Sequence, residues 1–308
     1  MDDLKQLLSN HYGLAKAEVA ALEGYANANY KVVMPDGSKF VLKKYLDEPG
    51  LPEVLEAESK ILASVTNKMA GHFPRPVKTQ SGTYLLGPVG LEKNIYRLLH
   101  WINGGFLYSA THTPGLLVSL GDLLARLDMM LLTEHQPVLM GRRIIWDLQR
   151  LPSLRSSLSL IRSADIRKKV HYFLLQFEEV VIPVLPSLRH SLIHNDANDW
   201  NVLVEKDRVT GLIDFVDMVY GPLIQDLAVC LTYALFEKED PLDWASHMIR
   251  GYHAVLPLEK KELDILYYLV AGRLCMSLLN SAASTSADPT NEYLGVSERQ
   301  AMDLPQQV

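Results

Sequence analysis

The chain has 308 residues, 48% of them hydrophobic and 21% charged, with a formal net charge of -6, enough to bury a substantial core in one large or two modest domains. The negative balance argues against nucleic acid as the main partner, because a phosphate backbone needs a basic face. No run approaches the roughly eighteen apolar residues of a membrane span, and the start, MDDLKQLLSNHYG, is amphipathic and acidic rather than basic then apolar, so a cytoplasmic location is expected.

The first hundred residues alternate short β-like runs with turns. YKVVMPDGSKFVLKKY predicts strand, turn at Pro35-Asp36-Gly37, strand. LPEVLEAESKILASV then carries apolar residues near a 3.6-residue period with Pro52 close to its start, and is the one helix expected in this region. A further strand pair is expected in KTQSGTYLLGPV and NIYRLLHW. The segment LLHWINGG, residues 98–105, reads as the join between residues 1–99, a small β-rich lobe, and residues 100–308.

From Thr113 onward long apolar-periodic runs predict helices: LLVSLGDLLARLDMMLL, IRKKVHYFLLQFEEVVIPVL, QDLAVCLTYALFE, WASHMIRGYHAVL and ELDILYYLVAGRLCMSLLNSA. Cys230 and Cys275 lie inside such runs and read as buried thiols rather than a disulfide. Beyond Ser281 the tail is polar and is expected to be loosely packed.

One stretch among these helices reads differently. Residues 194–217, HNDANDWNVLVEKDRVTGLIDFVD, offer His194, Asp196, Asn201 and Asp214 in the order H-x-D-x-x-x-x-N followed by a second Asp. These are the residue types that phosphoryl transfer uses to activate a hydroxyl and hold magnesium. VLVE, the polar turn Lys206-Asp207-Arg208 and VTGLID form a hairpin signal, which predicts that Asn201 at its entry and Asp214 at its exit converge as hard oxygen ligands for Mg2+. Asp196, in the loop before the first strand, is placed to accept the proton of an attacking hydroxyl, and His194 to brace that loop. An EF-hand reading fails for want of the sixth-position Gly and twelfth-position Glu, and a zinc reading for want of a nearby Cys or an i+4 His.

With these residues in hand, the chain resembles the aminoglycoside phosphotransferase and choline kinase superfamily, over nearly its whole length, and within it hydroxylysine kinase and related small-molecule kinases. SLIHNDANDWNVLV and GLIDFVDMVYGPLIQDLA carry most of the likeness, and LGDLLARLDMML, IIWDL, RGYHAVLPL and NEYL carry the remainder. The resemblance implies an α+β, protein-kinase-like bilobal fold with a small β-rich N-terminal lobe and a larger, mostly helical C-terminal lobe. It implies Asp196 as catalytic base, Asn201 and Asp214 as Mg2+ ligands, Lys43 in FVLKKY as the strand lysine on the nucleotide phosphates, and Glu58 as its helix partner. Lys44 is the rival of Lys43 and Glu56 that of Glu58, since period-2 alternation puts the two lysines on opposite faces. His100 and Ile102, in the joining segment, are further candidate nucleotide contacts.

Two departures from the family pattern stand out. Val216 occupies the position where many relatives have Gly after the metal aspartate, and EGYANANYKV lacks the glycines of a protein-kinase phosphate loop, so that Asn27 and Asn29 would stand in for them. Asp226 in QDLA matches a family aspartate that braces the catalytic loop, although a helix cap explains it equally well.

The expected activity is transfer of the γ-phosphoryl group of GTP or ATP to a small amine-bearing alcohol. The resemblance favours GTP and 5-hydroxy-L-lysine, with homoserine, choline or ethanolamine, and an aminoglycoside as alternative acceptors. A zwitterionic acceptor needs a cation for its carboxylate, for which Arg143 and Arg273 are candidates, and carboxylates or aromatic faces for its ammonium groups, for which Asp217, Trp200 and Tyr220 are candidates. A catalytically silent binding protein is the reading from a different class, and retention of Asp196, Asn201, Asp214 and a strand lysine argues against it. The oligomeric state has no signal in the sequence.

Overall fold

The computed structural model describes residues 1–22, 28–90, 93–236 and 238–287. The chain segregates into two compact units, one of Met1–Gly104 with Thr210–Val216 and one of Gly105–Val209 with Asp217–Val308. The sequence reading divides the chain between residues 99 and 100. The segment 210–216 belongs with the first unit because Leu212 N donates to His72 O at 3.0 Å and Val216 packs beside Tyr45, Leu55 and Ile95.

In the first unit, α1 (Asp2–Tyr12) precedes β1 (Glu18–Leu22), β2 (Ala28–Val33) and β3 (Lys39–Leu46), followed by α2 (Leu51–Lys68), β4 (Pro76–Val77), β5 (Leu85–Val89) and β6 (Asn94–His100). The sheet runs β1-β2-β3-β6-β4, with β5 also on β6. The turn at residues 35–37 joins β2 to β3, with Asp36 Oδ1 accepting from Ser38 N at 2.9 Å. Strand alternation sorts the side chains. Phe40, Leu42, Tyr96 and Leu98 join Leu7, Leu8 and Tyr12 of α1 in one core cluster, while Tyr45 and Ile95 pack on Leu55 of α2 in another. Two helices therefore serve this sheet where the sequence reading expects one. The sparse apolar positions of α1 mute its signal, yet Leu8 is fully buried.

The second unit holds β7 (Gly105–Phe106), α3 (Pro114–Leu131), α4 (Pro137–Met140), α5 (Ala164–Gln176), β8 (His190–Ile193), β9 (Val202–Glu205), β11 (Val219–Pro222), α6 (Leu223–Ala234), α7 (Pro241–Val255) and α8 (Lys260–Ala287). The expected hairpin is present: β9 neighbours β10 (Arg208–Leu212) in a sheet ordered β10-β9-β7, and β8 pairs with β11. Thr113 caps α3, its Oγ1 accepting from Leu116 N at 3.1 Å and donating to Asp207 in the hairpin turn. Where α3 crosses α7 the backbones nearly touch, because a Cβ on Gly121 would lie 2.1 Å from Met248 O and one on Gly251 2.1 Å from Val118 O. Among the described residues one helix, α8, is long and apolar enough to cross a membrane, and 83% of its apolar stretch is buried inside the structure, as in a core helix. It runs to Ala287, past the point where a loose tail was expected. Cys230 and Cys275 are free and buried, and burial pushes the Cys275 thiol up to about 12.

Candidate active site

The first unit presents a polar row on its sheet. Asn29 of β2, Lys43 of β3 and Arg97 of β6 are cross-strand partners in register, so their side chains share a face. Lys43 Nζ donates to Asp214 Oδ1 at 2.8 Å. Burial works against the lysine's charge, and the adjacent Asp214 carboxylate more than offsets it, so the ammonium is held protonated. Asp214 itself adopts a left-handed backbone, φ 64°, which a short carboxylate side chain tolerates. That conformation sits at Asp214 and not at Val216, so no glycine is required two positions on, and the valine side chain instead fills the space against Tyr45, Leu55 and Ile95.

The expected Lys43–Glu58 pair is not formed. Glu58 Oε2 lies 2.8 Å from Arg97 Nη1, both side chains only 1% exposed, and Arg97 Nη2 donates to Tyr45 OH at 2.9 Å. Arg97 directly across from Lys43 takes the helix carboxylate, which is why Lys43 turns to Asp214. Glu56 is part-exposed, 3.8 Å from Lys60. His100 lies on the opposite face of β6 from Arg97: its ring packs on Phe40 at 4.9 Å and its Nε2 meets Arg75 Nη2 at 2.6 Å, so its side chain does not join Lys43. Burial, and then the Arg75 guanidinium, hold the imidazole below its ordinary pKa. Ile102 packs over Gly211, where an added Cβ would come within 2.6 Å of its Cγ2. Asn29 Oδ1 is buried without a hydrogen-bond partner among the described residues, and Asn27 lies outside them.

The second unit holds the loop between β8 and β9, residues 194–201. Asp226, in the first turn of α6, accepts from His194 N at 2.8 Å and Asn195 N at 2.6 Å. It makes no cap to its own helix, so the bracing role is the one realised. His194 is fully buried, and its Nδ1 accepts from Asp196 N at 3.2 Å. Its imidazole therefore shapes the loop. Asn195, left-handed at φ 67°, donates to Trp146 O and Asp217 O and accepts from Gln225 Nε2 at 2.8 Å, which ties the loop on its other side.

Asp196 is held at both oxygens. Oδ2 accepts from Asn198 Nδ2 at 3.0 Å and Asn201 Nδ2 at 2.8 Å, and Oδ1 from Arg273 Nη2 at 3.0 Å. Asn201 Nδ2 also donates to Asp196 O at 2.8 Å, so the amide nitrogen is committed to the loop and the amide oxygen is the atom left to meet a cation. An amide oxygen is a hard donor of the kind Mg2+ prefers.

The remaining candidates divide. Arg273 is 2% exposed and engaged with Asp196, so it is not available to a substrate carboxylate, whereas Arg143 is exposed. Trp200 is half-exposed and forms a shelf with Tyr108, stacked at 4.4 Å and 21°, and Phe106 at 5.4 Å. Tyr220 stacks on His190 at 5.8 Å instead. Asp217 contributes its carbonyl to Asn195. Sequence reasoning missed Arg97, Asn195, Asn198, Trp146 and Tyr233. The signal that existed for Arg97 was a single cation inside the apolar run NIYRLLH.

Comparison with known proteins shows the family and the fold. The profile of the Phosphotransferase enzyme family matches residues 18–263. The chain is 31% identical to hydroxylysine kinase of Danio rerio over 94% of its own length and 86% of that protein's. It is 26% identical to homoserine kinase of Bartonella henselae, covering 90% of this chain and 84% of the other. Among solved structures, spectinomycin phosphotransferase in complex with ADP and spectinomycin superposes with a TM-score of 0.74 at 16% identity, over 98% of this chain and 94% of that one. The fold is thus the protein-kinase-like α+β fold, and the chain belongs to the Phosphotransferase enzyme family.

Proposed function

We propose that this small-molecule kinase transfers the γ-phosphoryl group of a nucleoside triphosphate to the hydroxyl of an amine-bearing alcohol, with 5-hydroxy-L-lysine as the acceptor. The observation that carries the chemistry is the Asp196 carboxylate held at both oxygens beside Asn201. The relative named hydroxylysine kinase, similar over 94% of the chain, supports the acceptor. Homoserine is the second reading, supported by the homoserine kinase relative.

In this mechanism Asp196 orients the acceptor hydroxyl and takes its proton as the oxygen attacks the γ-phosphorus. The bond to the β–γ bridging oxygen breaks, and the nucleoside diphosphate leaves with the electron pair. Lys43 supplies a fixed positive charge to the nucleotide phosphates, in exchange for its pairing with Asp214. Asn201 and Asp214 would hold Mg2+, which when bound neutralises charge on the phosphates. The exposed Trp200 shelf suits an ammonium group through its ring faces, and Arg143 suits a carboxylate. GTP is the favoured donor with ATP as the alternative, and a cytoplasmic setting supplies both.

The test is turnover of purified protein across hydroxylysine, homoserine, ethanolamine, choline and an aminoglycoside, each with GTP and with ATP. Hydroxylysine with GTP is expected to give the highest kcat/KM; inert hydroxylysine alongside active homoserine would reject the first acceptor in favour of the second.

A further inference from the structure

Arg273 is a cation in the interior of an apolar helix. It lies on α8, 2% exposed, between Gly272 and Leu274. Burying a guanidinium is costly unless its charge is met and its donors are used. Both conditions are satisfied by one small set of groups. Nη2 donates to Asp196 Oδ1 at 3.0 Å, Nη1 to Trp146 O at 3.1 Å and Nε to Tyr233 OH at 3.3 Å. The rings of Trp146 and Tyr233 lie 4.9 and 5.6 Å from its Cζ. A planar fork can serve three acceptors in three directions while stacking on two rings, and a lysine cannot.

The loop that carries Asp196 contains no Lys or Arg between His194 and Asn201. The cation that meets this carboxylate is therefore brought from a position 77 residues further along the chain. Asn198 and Asn201 grip the other oxygen. Two donors on one oxygen and one on the other leave the carboxylate plane no freedom to turn without breaking a bond.

We infer that Arg273 is a positioning residue for phosphoryl transfer: locked by Trp146 and Tyr233, it sets the orientation of the Asp196 carboxylate and does not bind the acceptor. The inference rests on the reading of Asp196 as base. Its consequence is a separation of kinetic terms. Misplacing a catalytic group by about 1 Å costs roughly 10²-fold in rate. Affinity for nucleotide and acceptor is expected not to depend on Arg273, because the guanidinium is buried and its donors are spent on Asp196, Trp146 and Tyr233.

The experiment compares Arg273→Met, Arg273→Lys, Tyr233→Phe and Asp196→Asn, using the acceptor and nucleotide with the highest turnover in the panel above, with thermal melting of each variant. For Arg273→Met the expected result is a kcat lower by about 10²-fold, both KM values within about twofold of the parent, and partial recovery of kcat on adding millimolar ethylguanidine. Arg273→Lys and Tyr233→Phe, milder for the fold, are expected to lower kcat by smaller factors in the same pattern. Unchanged kcat in Arg273→Met, or a large rise in acceptor KM with kcat retained, overturns the inference. So does a loss that follows the folded fraction, is not rescued by ethylguanidine and is absent from the two milder variants. Parent-like turnover in Asp196→Asn would instead remove the base on which the inference stands, and so marks failure of that reading separately.

Discussion

Glu58 of the long N-terminal-unit helix is paired with Arg97 at 2.8 Å, and not with Lys43. The relationship divides labour on one sheet face. Arg97 and Glu58 form a buried structural pair, while Lys43, one strand away, pairs with Asp214.

Glu58→Gln leaves a fully buried guanidinium without its counter-charge, and is expected to cost about 3–5 kcal/mol of stability. Lys43→Met is expected to lower kcat/KM by at least roughly 10²-fold with far less effect on the melt. Thermal denaturation and steady-state kinetics on the two variants check this. A Lys43→Met protein that unfolds while Glu58→Gln melts like the parent would reverse the assignment.

Asp226→Asn leaves one of the two N–H groups of His194 and Asn195 without its acceptor. The expected cost is about 1–3 kcal/mol, with a fall in kcat because the loop carrying Asp196 loosens. Hydrogen exchange at residues 194 and 195 reads the loosening directly, and unchanged protection there would refute it.

Gly121→Ala and Gly251→Ala each drive a methyl group into a backbone carbonyl 2.1 Å away. Neither helix can yield without separating from the other, so each change is expected to cost more than about 3 kcal/mol. Urea denaturation of each variant provides the check.

Burial pushes the Asp199 carboxyl up to about 6, against the lowering by its own and Trp200's backbone N–H groups. The folded chain thus holds this proton more tightly than the unfolded one, so stability is lost as pH rises from about 4 to about 6 and the penalty is complete above that. Asp199→Asn removes it. The variant is expected to gain on the order of 1–3 kcal/mol over the parent at pH 7 and almost nothing at pH 4, measured by denaturation at both pH values.

How much of this was legible in the sequence follows from the range of each interaction. The HNDANDWN stretch, the hairpin after it and the FVLKKY strand are local signals, and the structure contains all three elements. Strand alternation puts Lys43 and Lys44 on opposite faces without choosing between them, the F-V-L-K likeness favours Lys43, and Lys43 is the one paired with Asp214. Arg97 and Arg273 act through partners far away in sequence, at Glu58 and Asp196, and nothing in a linear pattern names a partner. Glu58 is singled out by the family resemblance, but its counter-ion follows only from the register of β3 against β6. Val216 is anomalous in the sequence only because no linear pattern locates the left-handed residue two positions earlier, at Asp214.

Asp196→Asn is isosteric, keeps an oxygen for Arg273 and removes the base, although its amide nitrogen also meets the Asn198 and Asn201 donors that the carboxylate accepted from. With acceptor and nucleotide saturating, and nucleotide binding confirmed by titration, kcat is expected to fall by about 10²–10⁴-fold. Turnover at the parent rate in a folded, nucleotide-binding Asp196→Asn protein would contradict the assignment of Asp196 as the base that takes the acceptor's proton.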